Sequence, residues 1–205
     1  MKKILFTLTL IVALALGNHT HAESYDTYTV KSGDSMWKIA VKYQVGVSEI
    51  INANPQVKNP NLIYPNQKLN IPVKSKEDVS IESQILNLVN KERSKQGLQS
   101  LTLNWELSRV AKIKSQDMAT NNYFSHQSPT YGSPFDMMKK FGISYRSAGE
   151  NIAGGQRTAQ EVMNSWMNSS GHRANILSSS FTQLGVGYVK GGSYGTYWTQ
   201  MFIRP

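Results

Sequence analysis

Apolar positions recur at spacings that divide the chain into distinct stretches. From Ile4 to Gly17 the sequence is almost purely apolar, preceded by Lys2 and Lys3 and followed by Thr20-His21-Ala22. A basic start, an apolar run of about 14 residues and a small-residue exit predict a secretory signal peptide over residues 1–22. The run is short for a membrane span, which needs roughly 20 apolar residues. The mature chain then opens on the β-prone run Tyr28-Thr29-Val30, followed by the turn Lys31-Ser32-Gly33-Asp34-Ser35. Asp34 or Ser35 can cap a helix carrying Ile39, Ala40 and Tyr43 at helical spacing. Val47, Ile50 and Ile51 mark a second helix, with Ser48 as a candidate cap. Pro55, Pro60 and Pro65 oppose regular structure, and Lys68-Leu69-Asn70-Ile71-Pro72 alternates like a strand. The order is β-α-α-β.

The polar run 74–80 reads as a linker between a small piece, residues 27–73, and a larger one, residues 81–205. In the larger piece Ile81, Ile85, Leu88 and Val89 fall on one helical face that ends near Gly97. Leu107, Val110, Ala111 and Met118 suggest another helix. Ser133-Pro134 starts a third, and Thr158 to Asn168 a fourth, with Val162 and Trp166 one turn apart. Leu184, Val186 and Tyr188, and then Tyr197 to Ile203, read as strands. The fold class expected is α+β, with helices mostly first and strands mostly last.

Composition changes this picture by exclusion. The chain has 205 residues and no Cys, so disulfides, Cys-based metal sites and Cys nucleophiles are absent. The formal net charge is +9, from 22 Lys and Arg against 13 Asp and Glu, without any basic tract. For an exported protein this points to acidic envelope polymers or lipid headgroups rather than nucleic acid, and a solvated surface that happens to be basic accounts for the charge equally well. After residues 1–22, two histidines remain, His126 and His172, both in turn-rich sequence. With Glu150 they could make a site, since imidazole carries protons and ligates metals near neutral pH and a carboxylate can orient it. Taken alone, two surface histidines and a capped turn account for these residues equally well. Ser125, Ser169 and Ser170 flank the histidines, but there is no Gly-x-Ser-x-Gly elbow and no HExxH.

Two resemblances extend the reading. The runs 28–40, 51–54 and 62–72 (Tyr-Thr-Val-Lys-Ser-Gly-Asp-Ser-Met-Trp-Lys-Ile-Ala, Ile-Asn-Ala-Asn and Leu-Ile-Tyr-Pro-Asn-Gln-Lys-Leu-Asn-Ile-Pro) resemble a LysM module. That resemblance implies two helices on a two-stranded sheet and binding of N-acetylglucosamine-containing glycans such as peptidoglycan. Its groove would use Gly33, Asp34, Ser35 and Met36 on one side and Asn61, Leu62 and Ile63 on the other. Phe124-Ser125-His126, Gly149-Glu150-Asn151-Ile152 and the run 170–177 occur in the order and spacing of the CAP superfamily, with support from 86–93, 166–168, 185–188 and 197–200. This resemblance implies an α-β-α sandwich with a cleft holding His126, Glu150 and His172. The second acidic residue familiar from animal members falls at Ser169, which leaves Glu161 as the candidate replacement. His126 and His172 would be the ligands of a divalent cation such as zinc, if one is bound. The expectation is a secreted protein retained at a bacterial wall, with the cleft as a ligand- or metal-binding module. A hydrolase of wall material and a structural component of an envelope or spore layer are the alternatives. No stable membrane insertion is expected after signal cleavage.

Overall fold

The computed structural model describes residues 25–205. The signal segment expected over 1–22 lies outside the described residues. No helix among the described residues is long and apolar enough to cross a membrane.

The small piece forms as its spacing predicts. Strand β1 (Tyr25–Thr29) pairs antiparallel with β2 (Lys68–Pro72), Tyr28 opposite Leu69. Helix α1 (Met36–Tyr43) starts because the Ser35 hydroxyl accepts from Lys38 N. Asp34 leaves the capping to Ser35, and its carboxylate closes the turn by accepting from Tyr28 Oη at 2.7 Å and Lys31 N at 2.8 Å. Helix α2 (Val47–Asn52) begins at Gly46 without a side-chain cap, so Ser48 is one residue inside the helix rather than capping it. Ile39, Ile50, Leu69 and Ile71 form the centre of this core. Buried Asn54 ties the end of α2 to β2, donating to the carbonyls of Ile50 and Asn70 at 2.7 Å and accepting from Asn70 N.

The expected linker differs most. Helix α3 runs Lys76–Lys95, so only the start of 74–80 connects the two pieces. Ser75 caps it by accepting from Asp78 N, and Asp78, almost fully buried, meets Lys112 at 2.6 Å. A polar run that reads as linker is a helix N-terminus in which acidic side chains favour the positive end of the helix dipole.

The larger piece is a three-layer sandwich. Its sheet has the order β3 (Thr102–Leu103), β5 (Gln183–Lys190), β6 (Thr196–Arg204), β4 (Ser147–Gly154). One face carries α3, α6 (Ala159–Asn168) and α7 (Ser170–Ile176), packed through Ile85, Val89, Trp166 and Ile176 on Leu184, Val186, Trp198 and Phe202. The other carries α4 (Trp105–Thr120) and α5 (Pro134–Lys140), packed through Leu107, Ala111, Met137 and Met138 on Met201 and Ile203. Both faces are covered, so β5 and β6 are buried nearly throughout. Gly185 and Gly187 permit this: a Cβ there would lie 2.4 Å and 2.2 Å from the backbone of Leu107 and Ala111. The glycines let α4 rest directly on β5. β4 and α7 come as additions to the expected elements, and they carry Glu150 and His172.

Candidate functional site

Three separate devices bring His126, Glu150 and His172 to one cleft. The first is a clamp from α4. Lys114 is fully buried, and its ammonium donates to the carbonyls of Ser125 at 2.8 Å and His126 at 2.9 Å and to Tyr123 Oη at 3.2 Å. One turn on, Asp117 accepts from Ser128 Oγ, Thr130 Oγ1 and Asn121 Nδ2, each at 2.7 Å, and from Tyr123 Oη. These bonds fix the segment that bears His126. Burial lowers the Lys114 ammonium's pKa, against the opposing pull of Glu150 and Asp117. For Asp117 burial pushes the carboxyl upward, but the four hydroxyl and amide donors outweigh it and hold it below its ordinary value.

The second device is β4, the edge strand of the sheet. Eight paired residues on β6 hold it, Glu150 opposite Met201. Its free edge is closed by side chains: Asn175 Nδ2 donates to Glu150 O at 3.1 Å and Trp166 Nε1 to Ile152 O at 3.3 Å. The third is α7, anchored by the buried Arg93 guanidinium, which donates to the carbonyls of Ile176 and Ser178 at 2.8 Å and of Gln99 at 2.9 Å. Asn151 Nδ2 donates to His172 O at 3.1 Å, linking β4 to α7.

The result is a cleft of about 940 Å³ lined by His126, Glu150, His172, Asn175 and several aromatic side chains. His126 Nδ1 lies 2.6 Å from Glu150 Oε1. An ionised carboxylate only accepts, so it selects the tautomer with the proton on Nδ1 and leaves Nε2 as the lone-pair nitrogen. Glu150 is 7% exposed, and its Oε2 has no hydrogen-bond partner. Burial, and secondarily the nearby His126, push His172 below its ordinary value, which favours neutral imidazole at pH 7.

Glu161 does not join this group. It is exposed at the start of α6, where its carboxylate accepts from Arg157 N at 2.8 Å and its amide donates to the Thr158 hydroxyl at 3.1 Å. The candidate replacement for the missing acid is part of a helix cap. Among the described residues, no group of three or more His, Cys, Asp or Glu is arranged to hold a metal ion. Glu150 Oε1 is engaged with His126 Nδ1, so Glu150 orients that ring rather than adding a ligand, and a divalent cation would rest on the nitrogens of His126 and His172. Ser125 Oγ accepts from Gln127 N and serves the turn.

In the small piece, Gly33 and Asn61 are exposed and Leu62 is half exposed, but Met36 is 5% exposed within the core and Ile63 leans on it. Met36 therefore packs the module and offers little surface to a groove, while Asp34 and Ser35 shape the turn. Trp37 and Tyr64 are highly exposed aromatics that the sequence reading did not single out. Lys114 was also missed. It sits on the buried stripe of α4, seven residues after Leu107, and a lysine at a position where the period calls for an apolar side chain was the available signal.

Comparison with known proteins places both pieces. The cysteine-rich secretory protein family (CAP) matches residues 86–202, and the LysM domain matches residues 28–72. The uncharacterized protein YkwD of Bacillus subtilis strain 168 is 57% identical over 138 residues, covering 67% of this chain and 52% of that protein. A crystal structure of an extracellular protein containing an SCP domain from Bacillus anthracis str. Ames superposes with a TM-score of 0.57 at 36% identity, over 69% of this chain and 47% of that one. The chain thus spans about half the length of these two relatives. The N-acetylmuramoyl-L-alanine amidase sle1 of Staphylococcus saprophyticus is 43% identical over 70 residues, 34% of this chain and 21% of that protein. With its LysM domain first and the sandwich behind it, and without a single cysteine, the chain belongs to the cysteine-rich secretory protein family.

Proposed function

We propose that this is an exported protein held at the bacterial wall by its LysM module, which binds N-acetylglucosamine-containing peptidoglycan, and that its CAP cleft is a ligand-binding site centred on His126, Glu150 and His172. The observation that carries the cleft reading is Glu150: a buried carboxylate with one oxygen on His126 and the other unpartnered inside a large cleft. Buried acceptors are nearly always satisfied, so an unsatisfied one in a cleft is suited to an incoming donor. The LysM match, the local identity to a wall amidase and the likeness to an extracellular SCP-domain protein support the location.

The test is co-sedimentation of the protein lacking residues 1–22 with purified peptidoglycan. Retention in high salt is expected, because a LysM-held protein does not depend on screened charge. Removing residues 27–73 should abolish most of it, and unchanged retention would overturn the anchoring role. A second reading, hydrolysis of wall material, is favoured by the His126–Glu150 pair, which would serve as an oriented general base. New amino groups or reducing ends in the supernatant, lost when His126 and His172 are both changed to Ala, would establish hydrolysis in place of simple binding.

A further inference from the structure

The tip of the β5–β6 hairpin, residues 191–195, stands beside the cleft and takes no part in the histidine group. It holds one aromatic ring in place. Tyr194 lies against the end of β4, where a Cβ on Gly154 would come within 3.2 Å of Tyr194 Cγ. Its ring meets Phe124 at 5.2 Å between centroids and Tyr197 edge-on at 5.6 Å. The tip is tied down around it. Gly191 N donates to Gly195 O at 2.9 Å, and Ser193 Oγ donates to Asn122 Oδ1. Gly192 rests so close to α4 that a Cβ there would lie 2.9 Å from Ala119 O. Tyr194 nevertheless stays 51% exposed and Phe124 41% exposed. Phe124 and Gly154 both line the cleft, so the two rings form a ledge at its rim. Adjacent apolar surface rimmed by polar groups marks a binding site, as isolated exposed side chains do not.

Three features narrow the ligand. The first is the ledge itself. It is open, so it covers one face of a flat ring, whereas an acyl chain laid on it would stay half hydrated. Aromatic faces are electronegative and attract C–H groups, and a pyranose has a C–H face with hydroxyls around its edge. The second is the polar lining beside the ledge, which has unused capacity of both kinds. Glu150 Oε2 and Gln156 Oε1 are buried acceptors without a partner, and the Ser165 hydroxyl and the His172 ring are donors that meet no acceptor among the described residues. The acceptors alone would suit any donor. A hydroxyl both donates and accepts, so a ring with an apolar face and a hydroxylated edge satisfies the ledge and both kinds of polar group together. The third is delivery. The LysM module, read above as the peptidoglycan anchor, is joined to the sandwich by residues 73–75 alone. A tether that short keeps a bound glycan strand at an effective concentration on the order of millimolar near the cleft.

We infer that the Tyr194–Phe124 ledge is a sugar subsite of the CAP cleft, on which a pyranose ring of an N-acetylglucosamine-containing glycan stacks while its hydroxyl edge meets the polar lining. The inference rests on the cleft being a ligand site and adds the ligand's class and the two rings that hold it. The subsite is distinct from the histidine group within the same cleft.

The experiment is an NMR titration of the isotope-labelled chain lacking residues 1–22 with three probes. These are tetra-N-acetylchitotetraose, the blocked tetrapeptide acetyl-Ala-Phe-Ala-Ala-amide and octanoate. Amides of 28–72 report sugar bound to the module, and amides of 124, 154–155 and 191–197 report the ledge. The tetrasaccharide is expected to shift both sets, and the other two probes neither. Tyr194→Ala, at an exposed tip, should weaken the ledge response about five- to tenfold with the module's response unchanged, and Tyr194→Trp, which keeps a ring, should preserve it. Indifference of the ledge response to Tyr194→Ala, or its loss in Tyr194→Trp as well, overturns the stacking role. A tetrasaccharide that shifts the module alone, while the tetrapeptide or octanoate shifts the ledge, overturns the sugar class and leaves the cleft a ligand site. Silence of ledge and cleft toward all three probes at millimolar concentration overturns both.

Discussion

The LysM module and the CAP sandwich place their candidate site residues in opposite ways. In the module, residues 28–72 are one contiguous run, the turn at Gly33 is closed by neighbours within six positions, and its core is its own. In the sandwich, His126, Glu150 and His172 come from a loop, an edge strand and a short helix. Each is held by a side chain far away in sequence: Lys114, Asn175 and Arg93. Neighbouring residues therefore build the module's turn and core, and Met36, which the motif offered to the groove, packs into that core. In the sandwich, motifs name the residues but say nothing of the buried groups that aim them.

If the two cores are independent, damage to one should spare the other. Trp166→Ala removes a fully buried side chain and the donor to Ile152 O, and should cost the sandwich about 3–5 kcal/mol. Its denaturant transition should fall while the amide spectrum of 28–72 is unchanged. Ile50→Ala, at the centre of the small core, should cost about 2–5 kcal/mol, comparable to everything so small a domain possesses. That module should lose its spectral dispersion while the sandwich stays folded. Joint loss in either case would show one cooperative unit.

Lys114→Met sharpens the contrast within the sandwich. It leaves the carbonyls of Ser125 and His126 without their donor, and a cost of about 1–3 kcal/mol is expected. Hydrogen exchange should quicken across 123–131 while β5 and β6 remain protected. Unchanged exchange there would remove Lys114 from its positioning role.

Acid should act on the same clamp through Asp117. Its carboxyl is held below the ordinary value, so the folded state keeps its charge where the unfolded state begins to take up protons. The stabilisation is complete above the unfolded value of about 3.9 and is lost as pH falls through the lower folded value. Urea midpoints of the sandwich should thus decline steeply below about pH 4, and Asp117→Asn should flatten that arm.

The smallest effect is expected at the seam between the regions. Arg109 Nε meets Glu49 Oε1 at 2.5 Å, and Arg109 also donates to Ser48 Oγ. A partly exposed pair of this kind contributes at most about 1 kcal/mol. Arg109→Ala should leave both transitions in place and let the module reorient, read as divergent NMR rotational correlation times for 28–72 and 86–202. Correlation times that stay matched would mean other contacts fix the seam.

What the sequence disclosed follows from how local each cause is. Ser133-Pro134 and Thr158 announced their helices because a cap and its partner lie within three residues, and the alternation at Leu184, Val186 and Tyr188 announced a strand. β4 was not legible: Ser-Ala-Gly-Glu-Asn-Ile-Ala-Gly is mostly small or polar residues, with little intrinsic preference for a strand, and pairing with β6 imposes the form. α7 contains a glycine and has no side-chain cap, and Arg93 secures its end from across the domain. Ser75 to Asp78 looked like linker because capping residues and linker residues are the same polar types.

The sequence by itself determined the two families, the order of the domains and the identity of His126, Glu150 and His172, because periodicity, caps and motif spacing are properties of neighbouring residues. Only the tertiary structure decided that Glu161 belongs to a cap, that Met36 belongs to a core, and that Glu150 and Gln156 each keep an unpaired oxygen in the cleft. Burial and hydrogen-bond satisfaction depend on what the rest of the chain places around a group, and that is fixed only when the layers pack.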